Sequence, residues 1–122
     1  MPPTRIPLAI VGGGTMAQAI VRGGVDAGVL DPRLIGIVEP DGARRDVFRS
    51  WGVRALKKPE ELVAWLAAAD TERSPGQILL AVKPQSLPEV ATQFRPLLGL
   101  GSRVVISILA GTPTRGIHAA LG

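Results

Sequence analysis

The chain has 122 residues, 46% of them apolar, a net charge of +4, no cysteine and one histidine. That length suits one domain, residues 1–122, around a single core. Disulfides and thiolate metal sites are excluded, the lone His118 cannot build a zinc centre, and no apolar run reaches the length of a membrane span, so no metal and no membrane partner is expected.

An apolar strand over Leu8 to Val11 runs into Gly12, Gly13 and Gly14, and a helix starts at once. Gly12, Gly14 and Ala17 fit the spacing G-x-G-x-x-G/A. Gly12 permits the tight turn, Gly14 lets backbone approach a diphosphate, and Ala17 is small enough for close helix–strand packing. The helix N-terminus adds N–H donors and a partial positive charge. Thr15 and Gln18 match a capping box. Met16, Ala19, Ile20, Gly23 and Ala27 are expected on the inner face, and Gly28 is placed to end the helix.

Asp31 and Pro32 lead to a second strand, Leu34 to Glu39. Asp41 is a candidate N-cap for a helix that turns Val47, Phe48 and Trp51 inward and stops at Gly52. A short strand near Val53 to Leu56 follows. Pro59 opens a third helix with Glu60 and Glu61 in its first turn and Leu62, Trp65, Leu66 and Ala69 inside. After a polar loop, Ile78 to Val82 reads as a strand buried on both faces. Ser86, Pro88 and Glu89 start a helix facing the core through Val90, Phe94 and Leu97. Val104 to Ile108 is the fifth strand, and Thr112 and Pro113 begin a short last helix.

Strands alternating with helices predict an α/β fold of Rossmann type, a doubly wound parallel sheet in the order 3-2-1-4-5. Ligand then belongs at the carboxyl ends of the strands, where the order reverses. Three loops are expected to meet there: Gly12 to Thr15, Ala81 to Gln85, and Leu109 to Thr112. Glu39, ending the second strand, is placed to accept hydrogen bonds from a ribose diol, which favours NADH over NADPH. Arg44 and Arg45 are positioned to clamp a 2′-phosphate instead, so both cofactors stay open with a slight lean to NADH. Lys83 sets a cation at the sheet's ligand edge. No nucleophile–base pair or carboxylate pair emerges, and the catalytic residues stay unknown. A nicotinamide cofactor carries its own hydride chemistry, so the protein needs few such groups. Arginines and lysines are scattered apart from Arg44–Arg45 and Lys57–Lys58, and aromatic residues are 3% with no tyrosine. That reads as a solvated basic surface without a base-stacking platform, and no nucleic-acid partner is expected. His118 reads as a surface residue, and Trp51 and Trp65 as core.

Three blocks carry a resemblance: Val11 to Ile20, Ala81-Val82-Lys83-Pro84-Gln85, and Ser107 to Thr112. In order and spacing they resemble the first domain of the pyrroline-5-carboxylate reductases. The resemblance implies reduction of the C=N carbon of 1-pyrroline-5-carboxylate by NAD(P)H to give L-proline. It implies a cofactor held by Gly12, Gly13, Gly14, Thr15, Met16 and Ala17 and by Ala81, Val82, Lys83 and Pro84, with Leu109 and Ala110 beside the nicotinamide ribose. The family continues with a sixth strand and a helical domain that supplies the substrate pocket and dimer interface. The chain is therefore expected to be a cofactor domain truncated before them, inactive alone, from a homo-oligomeric cytoplasmic parent. Exposed apolar surface near Ile108, Ile117 and Leu121 is expected to favour self-association. The alternatives are the first domain of another imine or 2-hydroxy acid reductase, and a nucleotide-sensing module without catalysis.

Overall fold

The computed structural model describes residues 6–69, 76–94 and 105–107. Five parallel strands form one sheet: β1 Leu8–Val11, β2 Ile35–Val38, β3 Arg54–Leu56, β4 Gln77–Leu80 and β5 Val105–Ser107. Their order is β3-β2-β1-β4-β5, as the alternating pattern predicts. The helices are α1 Thr15–Asp26, α2 Gly42–Ser50, α3 Pro59–Ala69 and α4 Leu87–Phe94.

Alternate side chains of each strand enter opposite layers, because the side-chain period of a strand is two. Ile10, Ile35, Ile37 and Leu79 meet Ala17 and Val21 of α1 and Phe48 of α2. Ala9, Val11, Ile78 and Leu80 meet Leu62 and Leu66 of α3 and Val90, Ala91 and Phe94 of α4. Trp65 lies against Gly36, where a Cβ would stand 2.6 Å from the indole Cε3, so the missing side chain on β2 is the seat for that ring. The central strands β1 and β2 read as continuous apolar runs because both their faces are covered, while edge strand β3 carries the exposed Arg54.

Several stop and start signals act as expected. Gly28 and Gly52 take positive φ at the ends of α1 and α2, and the Gly28 N–H donates to the Val25 carbonyl. The Asp41 carboxylate accepts from the Ala43 N–H and caps α2. Asp41→Ala should destabilise the domain by about 1 kcal/mol, read as a lower urea midpoint at unchanged m-value; an unchanged midpoint contradicts it. A short 3₁₀ turn, Pro32–Leu34, precedes β2, started by Asp31, whose carboxylate accepts from the Arg33 N–H and pairs with its guanidinium. That pairing holds Arg33 more firmly protonated than an isolated arginine.

Two readings of α1 are corrected. Its inner face is Ala17 and Val21, both fully buried, with Ile20 packed against that core as expected, while Met16 is 60% exposed and Ala19, Gly23 and Ala27 face solvent. The tight glycine turn brings Ala17 onto the sheet, and this fixes the helix's rotation. Thr15 is the first helical residue and not the cap: the N-cap is Gly14, with no side-chain hydrogen bond to the first turn. Gln18 Nε2 donates instead to the Gly13 carbonyl at 3.1 Å. Leu97, the last helix with His118, and the apolar positions Ile108, Ile117 and Leu121 lie outside the described residues.

Candidate functional site

Backbone ladders extend one residue past the carboxyl ends of three adjacent strands. Gly12 N–H donates to Val38 O, Ala81 N–H to Val11 O, and Glu39 N–H to Leu56 O, at 3.1, 2.9 and 2.9 Å. These bonds fix where the chain leaves β1, β4 and β2. They bring the glycine turn, the Ala81 loop and Glu39 to one edge. The result is a cleft of about 470 Å³ lined by Gly12, Gly13 and Gly14, by Glu39 and Arg44, and by Ala81, Val82 and Lys83.

The three glycines do different work. Gly12 has φ +100°, and a Cβ there would stand 2.7 Å from the Ala81 carbonyl oxygen. This is the close pass between the β1 turn and the β4 loop, and only glycine meets both demands. Gly13 is buried; a Cβ there would meet Glu39 Cγ at 3.0 Å and Phe48 Cε2 at 3.1 Å. A Cβ at Gly14 would meet nothing within 4 Å, so the space before it is open. That open space faces the uncapped start of α1, where the first-turn N–H groups lack a side-chain acceptor. Backbone donors beside a clear approach form an anion niche.

Glu39 is 5% exposed, and its carboxylate accepts from Arg44 Nη1 at 3.2 Å. Arg44 is half-exposed and also lies 3.8 Å from Asp41. Arg45 does not reach into the cleft as a phosphate clamp; its Nη1 donates to the carbonyls of Glu39 and Pro40, at 2.8 and 2.7 Å. It is withdrawn because those two carbonyls, at the end of β2, have no strand partner beyond Leu56. Lys83 is exposed on the cleft wall, in a turn closed by the Ser86 N–H donating to its carbonyl at 2.8 Å. Thr15 and Met16 are exposed on the first turn of α1 and do not line the cleft wall, and Ala17 serves packing. Pro84 begins a 3₁₀ turn over Pro84–Ser86. Leu109 and Ala110, and with them the third expected loop, lie outside the described residues.

The cleft also takes in Lys57 and Pro59 from the β3–α3 junction and Glu89 and Gln93 from α4, residues the sequence reading missed. Lys57 follows the carboxyl end of a strand, and that placement rule could have found it. Glu89 and Gln93 carry no such signal, since their spacing on α4 reads as a solvated face. No helix among the described residues is long and apolar enough to cross a membrane.

Comparison with known proteins places the chain in a family. Residues 7–111 match the family described as "NADP oxidoreductase coenzyme F420-dependent". A pyrroline-5-carboxylate reductase of Glycine max is 32% identical over 123 residues, covering 100% of this chain and 41% of that protein. One from Synechocystis is 37% identical over 114 residues, 93% of this chain and 39% of that protein. The solved structure of a pyrroline-5-carboxylate reductase from Coxiella burnetii superposes with a TM-score of 0.81 at 27% identity, covering 98% of this chain and 41% of that one. The chain thus spans about two fifths of the length of these relatives. The match to residues 7–111 places it in the NADP oxidoreductase, coenzyme F420-dependent family, and within that family it is similar to the N-terminal domain of pyrroline-5-carboxylate reductases.

Proposed function

We propose that residues 1–122 are the dinucleotide-binding domain of a pyrroline-5-carboxylate reductase, which reduces 1-pyrroline-5-carboxylate to L-proline in proline biosynthesis. The observation that carries the reading is the pairing of open space at Gly14 with an uncapped α1 start, walled by Glu39 and Lys83. The diphosphate of NAD(P)H fits that niche, and when bound the nicotinamide supplies the hydride. Gly12, Gly13, Gly14 and the first turn of α1, through Thr15, Met16 and Ala17, hold the diphosphate by backbone. Ala81, Val82, Lys83 and Pro84 form the facing wall, Lys83 adding positive charge. The resemblance assigns Leu109 and Ala110, which lie outside the described residues, to the nicotinamide end. The parent enzyme is a cytoplasmic homo-oligomer in this reading. The 122-residue chain by itself binds cofactor without appreciable turnover; proline formation by it at an enzyme's ordinary rate overturns that part.

The preferred cofactor is NADH. A buried carboxylate stands where the adenosine ribose meets the end of β2, and a 2′-phosphate there would face its charge. Arg44, the residue suited to a 2′-phosphate, is held by that same carboxylate. A related structure, a Plasmodium falciparum pyrroline carboxylate reductase with a TM-score of 0.70 at 23% identity, has NADP bound. The choice in this chain thus turns on its own Glu39. Fluorescence titration should show NADH binding tighter than NADPH. Glu39→Ser should shift the ratio toward NADPH by about tenfold or more, a difference of about 1.4 kcal/mol. Wild-type protein that prefers NADPH refutes the cofactor choice, and one that binds neither refutes the function.

A further inference from the structure

The β3 edge of the sheet carries a second groove, of about 860 Å³, on which Arg33, Arg45, Arg49, Arg54 and Lys57 converge. Glu61 also lines it. Two of the guanidinium groups are oriented by main chain. Arg45 donates to the Glu39 and Pro40 carbonyls, and Arg49 Nη2 donates to the Ala55 carbonyl at 3.1 Å, with its Nη1 3.4 Å from Asp46. Carbonyl partners fix a guanidinium without cancelling its charge, and each arginine has five N–H donors, so both keep donors for another acceptor. Arg54 and Lys57 are exposed and form no ion pair among the described residues. Arg33 contributes least, because Asp31 chelates it at 2.9 Å.

An open sheet edge often accepts an added strand. Here that use is blocked. The Leu56 carbonyl accepts from the Glu39 N–H, so Leu56 and Arg54 pair toward β2 and Ala55 turns its polar groups outward. Arg49 already occupies the outward Ala55 carbonyl. A second copy of the chain would set cations against cations. A single-stranded nucleic acid would call for exposed aromatic faces, and the ring at this groove, Trp65, is spent on Gly36. The chemistry left is a small body carrying several anionic oxygens, matched by pre-oriented forks and two exposed cations free of ion pairs among the described residues.

We propose that this groove is a second ligand site, separate from the dinucleotide cleft, for a multivalent oxyanion such as an oligophosphate, gripped by Arg45, Arg49, Arg54 and Lys57. Lys57 lines both the groove and the cleft, and Arg45 holds the backbone of Glu39, so the two sites share a wall. Phosphate and carboxylate oxygens both accept charge-assisted hydrogen bonds from such cations, and two probes separate them. Calorimetric titration at low salt with tripolyphosphate, and separately with citrate, compares wild type with Arg54→Glu and with Lys83→Ala. Saturable binding is expected in wild type and Lys83→Ala, with a loss of about tenfold or more in Arg54→Glu; the tighter probe names the anionic group. Circular dichroism confirms folding, and Arg54→Glu should bind NADH as wild type does, which keeps this test apart from that of the dinucleotide cleft. Three results overturn the proposal: no saturable binding of either probe, equal affinity in Arg54→Glu, or loss in Lys83→Ala, which would put the anion at the glycine turn.

Discussion

Gly12→Ala should destabilise the domain by about 3 kcal/mol, combining a side chain forced to positive φ with overpacking. The added methyl would sit 2.7 Å from the Ala81 carbonyl oxygen, a main-chain atom tied into the sheet by the Ala81 N–H bond to Val11. Neither partner can yield without parting the β1 turn from the β4 loop, so NADH binding should vanish with stability. Gly14→Val is the contrasting substitution. Gly14 has φ −75° and nothing within 4 Å, so the protein should unfold within about 0.5 kcal/mol of wild type. Its cofactor affinity should nevertheless fall at least about tenfold, because the new branch fills the niche before α1. Urea unfolding and NADH fluorescence, measured on both variants, check the pair. Equal stability of Gly12→Ala and wild type, or undiminished binding by Gly14→Val, would contradict the division of labour between the glycines.

Phe48→Ala should cost about 3–5 kcal/mol, the usual range for emptying a buried aromatic site. Phe48 is 0% exposed and meets Trp51 edge-to-face at 5.5 Å between ring centroids. Its Cε2 edge also backs Gly13, which in turn supports the stem of Glu39. The same variant should therefore weaken NADH binding at temperatures where it stays folded, although Phe48 touches no ligand. Circular dichroism melts with parallel NADH titrations test both effects. A melting temperature within a few degrees of wild type would refute the packing argument.

The sheet order was legible because short strands alternate with helices, and β1, β2 and the last three residues of β4 are apolar runs. Asp41, Gly28 and Gly52 announced the helix ends through their own backbone chemistry. The rotation of α1 was not legible. Small or apolar residues surround that helix on several sides, so its periodicity does not single out a stripe, and tertiary contact at Ala17 decides. The capping box failed for a related reason: the glycine turn itself provides the N-cap, and a residue without a side chain leaves no sequence signal. In the site, Gly12, Glu39 and Lys83 could be placed from strand ends alone. The Glu39–Arg44 pair and the carbonyl anchors of Arg45 and Arg49 could not, because pairing among several nearby arginines depends on which backbone oxygens the fold leaves unmatched.

The two indoles sit on opposite sides of the sheet, Trp51 in the layer of α1 and α2 and Trp65 in the layer of α3 and α4. With no tyrosine in the chain, near-ultraviolet emission comes from these two rings, one per layer. Replacing either by phenylalanine leaves a single native fluorophore that reports on one half of the sandwich, so the order in which the halves come apart can be followed without any added dye.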